Sequence, residues 1–428
     1  MSVEQAVALS CGKLPPPMRK THAILALAVL TVLNLVNYID RSVLFAVQPL
    51  IQAEFHRSDA SFGLLTSAFF ICYIVTAPFV GILADRYPRR LLMVAGALLW
   101  SAATLLTAVT HSFETLFIRH TIIGIGEATF VTIAPAFLSD MFPEHLRGRI
   151  LSIFYLAIPA GTALGYLLGG HLGPVYGWRA PFLVGSIPGF VLAILLMFAG
   201  EPVRGSHDSV KETFERSSLR GLTRNWAFWT CSLGMAMMTF AVGGMQVWMP
   251  TFLSRVREVP LAVANQKFGI MTLVAGIFGT LIGGWLGDKM LRYTKGSYYL
   301  VSAIGMTLAV PAIVAAVTFT GKFMFPAIFC GVFLLLLNTA PLNAALVNSV
   351  GARIRATAVA VNLFTIHILG DAFSPGLMGY ISDKTNLRMA FLAATVAVGL
   401  SAVILFFGMR FAPAVETPEP AHASGHTL

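Results

Sequence analysis

Apolar runs of membrane-spanning length alternate with short polar segments over nearly the whole chain. They fall at residues 22–46, 60–83, 90–110, 113–139, 147–171 and 178–199, and again at 225–254, 264–288, 298–319, 322–348, 354–380 and 387–410. At a rise of ~1.5 Å per residue, blocks of this length cross a hydrocarbon core of ~30 Å. The pattern predicts an all-α integral membrane protein with twelve transmembrane helices. The longest polar loop is the basic stretch 200–224. The expected organisation is therefore an N-terminal segment 1–21, a six-helix bundle 22–199, a linker 200–224 and a second six-helix bundle 225–410. A tail, 411–428, rich in Pro, Ala, Thr and His, is expected to be disordered.

The two bundles repeat each other. Gly81-Ile-Leu-Ala-Asp85-Arg86 closes the second helix, and Gly284-Trp-Leu-Gly-Asp288-Lys289 closes the eighth. Arg147-Gly-Arg149 opens the fifth helix, and Arg353-Ile-Arg355 opens the eleventh. Both pairs lie about two hundred residues apart, in matching places. Two six-helix halves related in parallel are an arrangement of secondary transporters, with the substrate site between them near the midplane.

Composition sharpens the class: 57% of residues are hydrophobic and 11% charged, where a soluble domain carries roughly 25% charged residues. The net charge of +10 matters through its placement rather than its size. With the N-terminus inside, nineteen of the 29 Lys and Arg residues fall in cytoplasmic segments and eight on the opposite side, with Arg41 and Arg119 within spans. That bias predicts a multi-pass membrane protein with both termini cytoplasmic. Cys11, Cys72, Cys231 and Cys330 are scattered and form neither a metal spacing nor a disulfide framework. The first apolar block is too long for a cleavable signal and reads as a retained helix. A nucleophile elbow, a Walker loop and a metal cluster are all absent from the sequence. Gly124-Ile-Gly126 lacks a third glycine and a preceding strand, so it is not a dinucleotide site. Neither an enzyme nor a cofactor, metal, ATP-driven pump or nucleic-acid partner is implied, and the short tail leaves no room for a signalling domain.

The chemistry sits in charges inside the spans. Arg119 to Pro143 is apolar but for Arg119, Glu127 near its middle and Asp140. A charge at the bilayer centre costs at least ~2.5–3.5 kcal/mol, so Glu127 needs a partner, a proton or water. In the first helix Asn34, Asn37 and Arg41 share a face, with Asp40 at its edge. From a start near residue 22, Asp40 lies roughly 27 Å along, in the outer half. Arg119 comes to a similar depth and Glu127 about 12 Å deeper. An Asp40–Arg119 or Asp40–Arg41 pair is expected, leaving Glu127 nearest the centre. Such a pair is either static or part of an ion path. Because proton affinity depends on whether a cation stands beside a carboxylate, Glu127 and Asp40 are the expected proton-coupling groups.

Four further features carry a functional reading beside a plain one. In Gly81-Ile-Leu-Ala-Asp85-Arg86-Tyr-Pro-Arg89-Arg90, Gly81 permits close helix approach, and Asp85 has Arg353 or Arg355 of the other half as partners in a cytoplasmic gate. The plain reading is a topology anchor. Gly161, Gly165, Gly169 and Gly173 form a ridge for helix packing or, alternatively, a ligand groove. In His367-Ile-Leu-Gly-Asp371, the aspartate is a second proton site or a polar cap, and His367 a relay or a satisfied polar residue. Finally, Met235, Met237, Met238, Met245 and Met249 line a cavity or pack as core, while Trp248 and Pro250 mark a bend or an interfacial anchor.

The loop from Gly81 to Arg90 resembles the cytoplasmic signature of the major facilitator superfamily. Three stretches narrow this: Asn37-Tyr-Ile-Asp40-Arg41, Gly124-Ile-Gly-Glu127 through Pro135, and Leu151-Ser-Ile-Phe-Tyr through Tyr166. With His367 through Pro375 they are similar to the Spinster family of lipid transporters, and short termini point to a bacterial homologue, which implies the cell (inner) membrane. The resemblance implies alternating-access transport, coupled to protons, of an amphipathic lipid such as a lysophospholipid or a sphingosine-1-phosphate-like molecule. It assigns coupling and substrate gating to Asp40, Arg41 and Glu127. Arg41 and Arg119 would then face an anionic head group. The chain is expected to work as a monomer, with protons, the bilayer and this lipid as its partners. The alternative is a proton-coupled symporter of small organic anions such as sugar acids. That reading calls for further cavity cations in the second half, and its spans carry none.

Overall fold

The computed structural model describes residues 20–203, 221–351 and 354–413. The segment 1–19, most of the linker, Arg353 and most of the tail lie outside the described residues. The helices are α1 Lys20–Phe55, α2 Asp59–Arg86, α3 Arg89–Thr107, α4 Phe113–Met141, α5 Glu144–Tyr176 and α6 Ala180–Leu196. In the second half, α7 Trp226–Thr251 runs on as a π-helical turn Phe252–Val256, followed by α8 Leu261–Met290 and α9 Ser297–Thr318. Then α10 comes in two pieces, Met324–Leu336 and Thr339–Asn348. The next, α11, comes in three: Arg355–Ile366, the π-turn His367–Asp371 and Ser374–Lys384; α12 is Leu387–Gly408. Among the described residues, eleven helices are long and apolar enough to cross a membrane, and α6 is a shorter apolar helix. An even number of crossings places both described ends on one face, here called the terminus face; the other is the distal face.

The expected elements form, and the largest difference is in α1. It continues past residue 46 to Phe55, with Pro49 inside it. Proline removes one backbone donor. The turn beyond it nevertheless stays helical, because Ile51 is fully buried and Gln48 donates to Gln52. A 36-residue helix spans ~54 Å. Asp40 and Arg41 therefore fall near its middle rather than in an outer half, level with Glu127 midway along α4.

Within the first half α1 packs on α5 and α6, and α4 on α2 and α3; within the second, α12 packs on α7 and α9, and α10 on α8 and α9. The glycine ridge of α5 is a packing device. Gly161, Gly165 and Gly169 lie against Leu35, Ile39 and Ala46 of α1. A Cβ at Gly165 would stand 2.6 Å from the Ile39 carbonyl oxygen, on the turn that carries Asp40 and Arg41. Gly165→Val is expected to destabilise the protein by ~1–3 kcal/mol through overpacking, read as a lower unfolding temperature in detergent. A variant as stable as the parent would show that α1 and α5 are not locked here. The α7 methionines are core: Met235, Met238, Met245 and Met249 are buried, as is Trp248, which donates to the Pro375 carbonyl instead of anchoring at an interface.

The halves touch along their distal parts. There α5 meets α8 and α1 meets α7, while the last piece of α11 lies along α2. Gly63 abuts the Pro375 backbone, and Gly379 abuts that of Asp59. Toward the terminus face the halves diverge. Among the described residues, nothing stands within 4 Å of a Cβ placed at Gly81 or Gly148. The close approach expected at Gly81 thus occurs at Gly63, near the other end of the same helix, and the space between the halves opens toward the terminus face.

Candidate functional site

The centre of the first half holds a buried ion pair. Arg41 Nε lies 2.5 Å from Glu127 Oε2, and Glu127 is fully buried. Its second oxygen meets no donor at hydrogen-bonding geometry, although the buried Asn37 carboxamide stands beside it. Around the guanidinium stand the rings of Tyr38, Phe69, Phe70 and Tyr73, with centroids at 5.0, 5.0, 6.0 and 5.1 Å. A cation over an aromatic face gains ~0.5–2 kcal/mol, more as water is excluded. This collar, together with the carboxylate, is what lets an arginine sit at mid-membrane. His120 stacks on Phe69 behind it, 5.0 Å between centroids.

The pairing differs from the one expected. Asp40 turns away from Arg41 into the wedge between α1, α3 and α6, where Thr104 donates to it at 3.4 Å and Gly185 leaves it room. Adjacent residues on a helix point about 100° apart, so one faces α4 and the other faces α3. Arg119 does not reach Asp40 either. It donates to the Leu106 carbonyl and to Thr110 Oγ1, fastening α4 to the end of α3. Glu127, not Asp40, has the arginine. Asn34, on the same face, donates to the Phe154 carbonyl of α5 at 3.0 Å.

The second half brings its own pair up to this site. His367 Nδ1 lies 3.0 Å from both Asp371 oxygens across the π-turn of α11. Gly370, at φ −102° and ψ −105°, breaks the helical path there. His367 meets the edge of Tyr73 at 5.9 Å, and Tyr73 is also a wall of the Arg41 collar. Glu127, Arg41, Tyr73, His367 and Asp371 thus form one continuous string across the gap between halves. Of the collar residues, Tyr38 sits inside the Asn37-to-Arg41 stretch, whereas Phe69, Phe70 and Tyr73 carry no motif; the signal that points to these three is aromatic spacing on α2 level with the charges, visible once depths are known.

At the terminus face, Arg89 and Arg90 serve their own half. Arg89 is buried against Asp140 at 2.7 Å, and Glu201 accepts the backbone N–H groups of Arg89 and Arg90 at 3.0 Å each. Arg90 also donates to the Met197 and Ala199 carbonyls. Asp85, Arg86 and Arg355 are exposed at the mouth of the opening, and Arg353 lies outside the described residues. In the repeat, Asp288 accepts from Tyr298 at 2.8 Å. Among the described residues there is no cluster of potential metal ligands.

Comparison with known proteins agrees with this architecture. The Major Facilitator Superfamily model matches residues 30–374. The sphingosine-1-phosphate transporter SPNS2 of Xenopus tropicalis is 34% identical over 418 residues, covering 92% of this chain and 81% of its own. Protein spinster homolog 1 of Bos taurus is 36% identical over 392 residues, 85% of this chain and 74% of that one. Among solved structures, a bacterial homologue of the human lysosomal transporter Spinster, inward-facing and unoccupied, superposes with a TM-score of 0.83 at 24% identity. That match covers 92% of this chain and 98% of the other. Twelve helices in two halves, a matching superfamily profile and relatives aligned over most of both chains converge on one conclusion: the chain belongs to the Spinster family of transporters within the Major Facilitator Superfamily.

Proposed function

We propose that the protein is a proton-coupled transporter that moves an amphipathic, anionic lipid by alternating access, with Glu127 as the coupling carboxylate. The observation that carries this reading is the Arg41–Glu127 pair, whose arginine also touches the aromatic string leading to the second half. One guanidinium cannot serve two anions fully. When Glu127 is ionised it holds Arg41; when Glu127 takes a proton, its charge no longer competes, and Arg41 is free to bind a phosphate or carboxylate head group. Proton and lipid binding are then linked through one side chain. Loss of the Arg41–Glu127 attraction also loosens the collar, so Tyr73 passes the change to His367 and Asp371.

Asp40, buried and hydrogen-bonded by Thr104, is a second proton site in this reading. Asp371 and His367 contribute from the facing half. Arg119, tied to the end of α3, serves the substrate path indirectly by fixing α4. The bias of Lys and Arg toward the terminus face supports an orientation with both termini in the cytoplasm of an inner membrane, so the space between the halves opens inward. Asp85, with Arg86 and Arg353 or Arg355, then forms the inner gate when the halves close there, and Gly81 permits that closure. The two bundles, 22–199 and 225–410, are the rocking units of a monomer.

Uptake into proteoliposomes tests the substrate class. A panel of lysophospholipids and sphingosine-1-phosphate is set against a panel of sugar acids, each with and without a pH gradient. Lysolipid flux that rises with the gradient is expected. Sugar-acid flux alone would overturn the lipid reading, and gradient-independent lipid flux would overturn the coupling.

A further inference from the structure

The two halves treat the cations of the terminus face differently. In the first half Arg89 is neutralised by Asp140 near the end of α4 and Glu201 just past α6. The matching places in the second half, the end of α10 and the turn after α12, carry Asn348 and Arg410 instead. Asp288 is the one acidic side chain on that face of the second half among the described residues, and it accepts from Tyr298. Lys289, Arg292, Lys295 and Arg410 are exposed, and among the described residues they form no ion pair. What three of them meet is an aromatic face. Lys289 Nζ lies 4.5 Å from the Trp285 ring centroid, Arg292 Cζ 4.7 Å from that of Tyr293, and Arg410 Cζ 5.7 Å from that of Phe407.

On α8 the arrangement is a stripe. Leu281, Trp285, Lys289 and Arg292 follow one another at spacings of four, four and three, so they share one side of the helix and its last turn, and all are exposed. Gly283 and Gly287 press the opposite side onto Leu337 and Tyr298, so the stripe points away from the bundle. From Leu281 to Lys289 the helix rises ~12 Å, within the ~15 Å that one leaflet's hydrocarbon occupies. The stripe thus passes from acyl depth, through an indole at the interface, to two cations at the level of the phosphates. Val403, Phe407 and Arg410 repeat that order at the end of α12. A Cβ at Gly296 would stand 3.3 Å from Met409 Cβ, which brings the loop carrying Lys295 beside Arg410.

We propose that this surface binds an anionic phospholipid of the terminus-side leaflet. Lys289 and Arg292 hold its phosphate, Trp285 lies at its glycerol backbone and an acyl chain runs along Leu281. The lipid is a bound partner, separate from any transported molecule, because the stripe lies on the outside of the second half and the Arg41–Glu127 pair lies inside the first. A ring face orients a cation without neutralising it, so the charge is left for an oxyanion. A soluble anion or an acidic protein would meet the cations but not the exposed Leu281 and Trp285 beneath them. A phospholipid meets both, and negative lipid charge draws Lys and Arg at a membrane surface.

Native mass spectrometry of the full chain in detergent, with phosphatidylglycerol or phosphatidylcholine added, tests the site. The wild type is expected to retain phosphatidylglycerol at concentrations where phosphatidylcholine is lost. Lys289→Gln and Arg292→Gln should each weaken phosphatidylglycerol binding about fivefold, and the two together more than tenfold. Lys289→Arg and Arg292→Lys keep the charge and should bind as the wild type does. So should Lys322→Gln, which removes an exposed cation of the distal face. Brominated phosphatidylglycerol in nanodiscs locates the lipid: the part of its tryptophan quenching that Trp285→Phe removes should also vanish in the double glutamine variant. Arg41→Met with Glu127→Leu disables the central site and should leave this binding unchanged; loss of binding there would place the lipid in the transport path and overturn the proposal. Equal retention of the two lipids by the wild type, or an unaltered preference in the double glutamine variant, would overturn it as well.

Discussion

Replacing Glu127 with glutamine is expected to abolish pH-driven lipid flux in proteoliposomes while leaving a folded, membrane-inserted protein. Glutamine keeps the volume and one oxygen acceptor for Arg41, so the aromatic collar has no reason to rearrange. Weakening a charge-assisted hydrogen bond to a neutral one costs ~1–2 kcal/mol, which a twelve-helix protein absorbs. What disappears is the proton. With no group at this position able to change charge, Arg41 is available to an anion at every pH, and a gradient has nothing to act upon. The check is flux measured with and without the gradient, beside binding of the lipid. Retained gradient-driven flux would remove Glu127 from the coupling step and shift attention to Asp40.

The second large effect lies at the other end of the pair. Arg41→Ala strands a carboxylate in the hydrocarbon layer and empties a cage of four rings at once. Breaking a buried pair by removing one member costs ~3–5 kcal/mol, far more than the pair contributes when intact. A marked loss of unfolding temperature and yield is expected, together with loss of transport. The informative companion is Arg41→Met with Glu127→Leu. Exchanging both ions for apolar groups of similar size is often neutral or stabilising, so folding should return while transport does not. That split would show that the pair is kept for function. If Arg41→Ala were as stable as the parent, the carboxylate would have to be carrying a proton or reaching water.

These two experiments bear on a distinction that neighbouring residues make plain. Asp40 and Arg41 are adjacent, equally deep and drawn from one motif, yet they live in different environments. Asp40 points at Thr104 and Gly185 in a wedge internal to the first half; Arg41 points at α2 and α4, toward the gap. A proton on Asp40 alters packing among α1, α3 and α6. A proton on Glu127 alters what Arg41 presents to the substrate space. The two carboxylates are therefore separable: an Asp40→Asn variant is expected to keep the Arg41 collar intact.

Read along the chain, the apolar blocks determine twelve helices, and the recurrence of Asp85-Arg86 as Asp288-Lys289 determines two halves. The intramembrane charges Arg41, Glu127 and Asp371 mark positions that need a partner, a proton or water, because of their desolvation cost. Helix packing was legible in part: glycines every fourth residue on α5 offered a smooth face, and the structure seats α1 on it. The tertiary structure alone decided which charge meets which. It carried α1 through Pro49 to Phe55, and so moved Arg41 to the level of Glu127. It sent Asp40 and Arg119 to partners within their own half. It also gathered Tyr73 and His367 from helices far apart in the chain. The reason is physical. Burial of apolar surface is a sum over local composition, whereas an ion pair depends on the depth and rotation of two separate helices, and those are set by every other contact in the bundle.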